Sequence, residues 1–196
     1  MKYIRRLLWF LARKLLLVSV LFSALVLTFY IAMNAANIYI LLDDGMEMRA
    51  KAILTQEDAQ ELTNFFTDDF LAQDEALNLG LSSESPYINY NITDFESSVT
   101  LEWVWTWPWE DTAQATIVYR VKDIKGSVLS SISSLVKSGV ISSTPPEWQS
   151  WRYEMTFYRQ NGHWKIAGMK QTQYIADATP APKATLTPED SDDISL

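Results

Sequence analysis

The chain has no cysteine, one histidine and six glycines among 196 residues, and these scarcities remove whole classes of chemistry. Without cysteine there is no disulfide framework, no thiolate nucleophile, no iron–sulfur cluster and no cysteine-built zinc site. His163 alone leaves little imidazole chemistry, and the few glycines form no phosphate-cradling loop. A net charge of −8 argues against a phosphate backbone as ligand, which needs clustered Lys and Arg, so no nucleic-acid partner is expected. What is plentiful is apolar surface. At 48% hydrophobic and 13% aromatic residues the chain is too apolar to be disordered, and its length suits one domain with something added.

The addition is at the N-terminus. Lys2, Arg5, Arg6, Arg13 and Lys14 give the first fourteen residues a charge of +5 with no acid, so the remaining 182 must carry −13. Leu15 to Leu42 holds no charged residue, and Leu15 to Met33 is almost unbroken Leu, Val, Phe, Ile and Ala. As a helix, those nineteen residues span about 28 Å, close to the hydrocarbon thickness of a bilayer. The run exceeds the apolar part of a cleaved signal peptide, which is about 7 to 15 residues. The reading is therefore a basic cytoplasmic segment (1–14) and a transmembrane helix (15–42) that takes the lipid bilayer as partner. A domain outside the cytoplasm (43–176) follows, then an acidic, proline-containing disordered tail (177–196). Tyr30 and Tyr39 are placed near the outer interface.

In the outer domain, Thr55-Gln-Glu-Asp58 reads as a capping box that starts an amphipathic helix bearing Ala59, Leu62, Phe65, Phe66 and Phe70 on one face. Glu75 to Leu79 reads as a short helix stopped at Gly80. From Tyr87 the apolar period falls to two. Val99, Leu101, Trp103, Trp105 and Trp107 alternate with polar residues up to Pro108, and Ala113, Ala115, Ile117, Tyr119 and Val121 do so after it, which predicts a hairpin. A second hairpin runs from Trp148 to Tyr174 around Asn161-Gly162, with Trp151, Tyr153, Met155 and Phe157 on one face. Between the hairpins, Val128, Leu129, Ile132, Leu135 and Val136 recur at helical spacing.

A helix followed by two long hairpins implies an α+β design, a curved antiparallel sheet packed on a helix. On this plan, and on the closing NGHWKIAGMKQ with its turn into a Trp-containing last strand, the domain resembles NTF2-like and cystatin-like domains. A basic tail, one span and such an outer domain together also resemble VirB8-type assembly subunits of conjugation and secretion systems, and anchored envelope proteins of Gram-positive bacteria. The basic segment before the span gives the expected location, a cell-membrane protein with its N-terminus in the cytoplasm.

Candidate chemistry is sparse. Asp94, Glu102 and Glu154 lie on or near strands, Glu102 and Glu154 opposite the apolar stripes, and His163 follows a turn without a partner acid, so no catalytic residue, metal ligand or cofactor is assigned. The serines of 127–143 lack a base. Eight tryptophans stand out, four of them at 103, 105, 107 and 109. Inward-facing indoles would fill or line a cone, so Trp103, Trp105, Trp107, Trp109, Tyr119 and Tyr153 are the candidate pocket, with Trp109 the most exposed. Ile132, Leu135 and Val136 are the candidate partner surface, for another protein or a second copy of the chain. The function read from these residues is that of a non-enzymatic binding or assembly protein of the cell envelope. A small-ligand binder or enzyme built on the tryptophan cone, and a VirB8-like scaffold, are the alternatives.

Overall fold

The computed structural model describes residues 2–57, 59–132, 136 and 138–176, with the backbone alone for residues 2 and 4–8. Helix α1 (Lys2–Thr55) is a single helix of 54 residues. Its Trp9–Thr55 part is long and apolar enough, by length and composition, to cross a membrane. Residues 9 to 30 touch no other part of the fold closely enough to be buried. From there the same helix becomes a core element, because Ile38, Leu42, Met46, Ala50, Ile53 and Leu54 fall on one stripe and are all buried. The division placed at residue 43 therefore falls inside the packed part of the helix.

Thr55 ends a helix instead of starting one. Its Oγ1 donates back to the Lys51 carbonyl (2.9 Å), and Gln56 closes the turn at φ 57°, donating its N–H to the Ala52 carbonyl. Asp58, the far end of the expected capping box, lies outside the described residues. The amphipathic helix expected beyond it is broken into a 3-10 segment, Ala59–Asn64, and helix α2 (Asp68–Gln73), which the Thr67 hydroxyl caps at the Phe70 N–H. The break lets residues 65–67 run beside the last strand, where Ile166 donates to the Phe65 carbonyl (2.8 Å) and accepts from the Thr67 N–H (2.9 Å). Leu62 and Phe66 still reach the core, so the apolar pattern is honoured by two short pieces. Helix α3 (Glu75–Gly80) stops where the sequence places its glycine. A Cβ on Gly80 would come within 2.8 Å of Ile53, so the glycine is needed for close approach of α3 to α1.

Strands β1 (Tyr90–Thr106), β2 (Thr112–Val128), β3 (Trp151–Gln160) and β4 (His163–Tyr174) form one antiparallel sheet in the order β1-β2-β3-β4. Asn161 and Gly162 both take positive φ, as the tight turn between β3 and β4 demands. The inner face of the sheet packs on the C-terminal half of α1 through Ala113, Ala115, Ile117, Tyr119, Tyr153, Met155, Phe157 and Ile166. Between the hairpins the described residues hold only a 3-10 turn, Ser130–Ile132, and one helical residue, Val136. Ile132 and Val136 are half-buried, while Leu135 lies outside the described residues, as does the tail 177–196.

Candidate functional site

The alternation of the tryptophan strand predicts one inward face, and a β-bulge overturns it. Leu101 pairs with Ile117 and Trp103 with Thr116, so Glu102 is the extra residue on β1 and every side chain after it changes face. Val99 is buried before the bulge, and Thr106 is buried after it. Trp103 and Trp105 are therefore on the outer face, 48% and 50% exposed, and Trp109 beyond Pro108 is 71% exposed. The rings form a ladder. Trp103 lies parallel to Trp105 (centroids 6.4 Å), Trp105 meets Trp107 edge to face (5.2 Å), and Trp107 stacks on Trp109 (4.9 Å). They line no cone.

The other two candidate aromatics are on the inner face. Tyr119 is fully buried and donates its hydroxyl to the Met46 carbonyl of α1 (2.9 Å), so it fastens the sheet to the helix. Tyr153 forms part of a cleft of about 460 Å³ between α1, the loop joining α2 to α3, the segment Glu147–Gln149 and the far ends of β3 and β4. Its floor is an ion pair that composition could not reveal. Arg49 donates from Nε to Asp74 Oδ2 (2.6 Å) and from Nη2 to Oδ1 (2.8 Å), with both side chains 3–4% exposed. Asp74 Oδ1 also accepts the Leu77 N–H (3.1 Å), so the carboxylate caps α3 while it neutralises Arg49. Burial opposes the charge on Arg49, but the Asp74 bonds outweigh it and hold the guanidinium above its ordinary value.

The walls are aromatic and amide. Tyr87 stacks on Trp148 (6.3 Å), and Trp148 meets Tyr119 edge to face (6.4 Å). Gln171 Nε2 donates to the Tyr153 hydroxyl (3.3 Å), and Gln73, Gln149, Glu75 and Glu147 are also among the lining residues. Burial pushes the Tyr87 phenol up to about 12 and raises Tyr153 as well, so both are neutral hydrogen-bonding groups at physiological pH. The pairing of Arg49 with Asp74 leaves the cleft without a free base at its floor. Aromatic rings and side-chain amides are among its lining, groups that can stack and hydrogen-bond.

No known protein family matches the chain, and no curated protein matches it. The remaining acids of the sequence reading are on the outer face or strand ends, each with a basic partner: Glu102 with Arg152 (2.8 Å), Glu154 with Lys170 (3.6 Å) and Asp94 with Lys125 (2.6 Å). His163 is exposed at the start of β4. Among the described residues no group of three or more His, Asp and Glu gathers as a metal site. The residues missed from sequence are Arg49, Asp74, Tyr87 and Trp148. Arg49 carried a signal, since it is a cation three residues after Met46 on the stripe of α1 that is otherwise apolar.

Proposed function

We propose that the protein is a single-pass, membrane-anchored binding module. In this reading the N-terminus is in the cytoplasm, and an NTF2-like domain outside it holds a segment of a protein partner, or of another copy of the chain, in the Arg49–Asp74 cleft. The observation that carries the reading is the continuity of α1, whose fully exposed apolar part runs without a break into the buried stripe of the domain. Such a helix couples the domain rigidly to the bilayer, which suits a module that acts on neighbours in or near the membrane. The +5 charge before the span supports the orientation. The cleft supports binding over catalysis, because its tyrosines are neutral and its one buried acid is committed to Arg49.

A small apolar or amide-bearing molecule is the second reading, favoured by a cleft volume within the range of ligand sites. Any such ligand belongs in this cleft and not among Trp103, Trp105 and Trp107. A VirB8-like scaffold is the same binding reading with its partner fixed in the same membrane.

The test is a photo-cross-linking amino acid at Gln149 in the full chain in its own membranes, with the adducts identified by mass spectrometry. A protein adduct lost on Trp148→Ala supports the proposal. An adduct of small mass moves the function to the second reading, and an unmodified chain rejects both. Proteolysis from outside intact cells checks the orientation independently, because a protected domain would reverse it.

A further inference from the structure

We infer that the tryptophan ladder is a second membrane contact, seated at the boundary of hydrocarbon and headgroups in the outer leaflet that α1 crosses. The inference rests on the anchored reading above. Its basis is height. Counting twenty residues of helix from Lys14 gives about 30 Å, which brings the hydrocarbon boundary to about Asn34. The β1–β2 turn is held at that level. Arg159 donates its backbone N–H to the Asp111 carbonyl (2.8 Å) and its Nη2 to Asn34 Oδ1 (3.0 Å), and Asn34 also accepts the Trp164 indole N–H (3.2 Å). Below it, Pro108 shares a groove of about 380 Å³ with Phe22, Val26 and Tyr30 of α1, which lie roughly 6 to 18 Å down the helix from Asn34. The tip thus reaches down beside the helix, past the level where the span ends.

The chemistry of the outer face changes with height in the sense a membrane interface requires. At the tip lie Trp107 and Trp109, with Trp105 a few ångströms higher, Trp103 above it, and exposed Tyr158 paired with Thr112 on the neighbouring strands. Farther away the face turns charged, with Glu102–Arg152, Glu154–Lys170 and Asp94–Lys125. Indole combines a large apolar ring with one N–H donor, and it concentrates where apolar and wet surroundings meet. The headgroup layer is about 5 to 8 Å thick per leaflet, enough for the lower rungs of the ladder. Glu110 and Asp111 lie at the same tip and limit its depth, since a carboxylate is excluded from hydrocarbon but not from the hydrated headgroups. On the helix, exposed Tyr39 lies roughly 7 to 8 Å beyond Asn34, on the domain side of the boundary. The α1 span and the ladder then hold the domain at two points, which fixes its tilt as well as its distance from the bilayer.

The absence of cysteine makes the test clean. Single nitroxide labels are placed on the full chain at Thr112→Cys, beside the ladder, at Val26→Cys in the span and at Asn91→Cys at the far end of β1. The chain is reconstituted in phosphatidylcholine and phosphatidylglycerol vesicles, and label collisions with oxygen and with an aqueous nickel chelate are measured. Val26 should be rich in oxygen and Asn91 in nickel. Thr112 is expected between them, with nickel collisions severalfold below those at Asn91, and replacing Trp105, Trp107 and Trp109 by Ser should raise them to the Asn91 value. Nickel access at Thr112 equal to that at Asn91, with Val26 still deep, overturns the ladder contact and leaves the anchor standing. A Thr112 label shielded from both colliders means that protein covers the ladder, and overturns it too. Nickel access at Val26 overturns the anchor, and this inference with it.

Discussion

The two halves of α1 share one backbone and present different surfaces. From Trp9 to Tyr30 the apolar side chains point in all directions and every one is exposed, whereas from Asn34 to Thr55 most of them, Tyr39 and Ile40 apart, collect on one stripe and charged residues such as Glu47 and Lys51 take the other side. A helix that is apolar all round satisfies a lipid environment, and one that is apolar on a stripe satisfies a protein core. The change occurs at Asn34, the first buried polar residue of the helix, whose amide Nδ2 bonds back to the Tyr30 carbonyl while its oxygen serves Arg159 and Trp164. A single residue there joins helix to sheet by directed bonds, where apolar surface exposed all round gives way to packed surface.

The largest test of the comparison is Arg49→Met, which leaves Asp74 buried without its partner. Loss of about 3–5 kcal/mol of domain stability is expected, because an uncompensated buried carboxylate is far costlier than a missing pair. Thermal unfolding of the full chain in detergent measures it. Adding Asp74→Leu should restore a large part of the loss, although α3 then also loses its cap; no recovery would mean that the pair shapes the cleft instead of merely neutralising itself. Next in size is a matched pair of truncations on the same helix. Leu42→Ala, at a fully buried site, should cost about 2–5 kcal/mol. Leu25→Ala, at a site 67% exposed, should leave domain unfolding within about 0.5 kcal/mol of the wild type. Equal effects at the two sites would erase the distinction between the halves. At the junction itself, Asn34→Leu should cost about 1–3 kcal/mol, the penalty of leaving the buried Trp164 N–H without an acceptor.

How much of this was legible in the sequence depends on which property decided each feature. The long apolar helix, the two hairpins and the Asn161-Gly162 turn rest on local composition and period, and all appear where the residues put them. The packed part of α1 before residue 43 was hidden, because Asn34 to Leu42 carries no charge and reads like a continuation of the span; only tertiary contact shows that Ile38 and Leu42 face protein. The tryptophans were misplaced for a different reason. A strict period of two assigns one face to a whole strand, and one inserted residue at Glu102 reverses it, an event set by pairing with β2 rather than by β1 alone. The cleft was illegible because its residues come from segments brought together only by folding: Arg49 is 25 positions from Asp74, and both are remote from Trp148 in the chain.

The smallest expected effect is on alkaline stability, and it reports whether the packed half of α1 stays in place. Burial raises the phenols of Tyr87, Tyr119 and Tyr153, so the folded chain keeps these protons at pH values where the unfolded chain has lost them. Their contribution to stability is therefore complete below the ordinary tyrosine value near 10, and it declines as the pH rises through 10 towards the value of about 12 for Tyr87. Phenolate absorbance should accordingly rise in two stages, exposed tyrosines first and these three last. The late stage should coincide with loss of near-ultraviolet circular dichroism, since Tyr119 cannot ionise while its hydroxyl donates to the Met46 carbonyl. Leu42→Ala should move that stage to lower pH by loosening the helix under the sheet, whereas Leu25→Ala should not move it. A late stage that ignores Leu42→Ala would show that the tyrosines are shielded by the sheet alone, and that the helix stripe contributes less to the core than its burial implies.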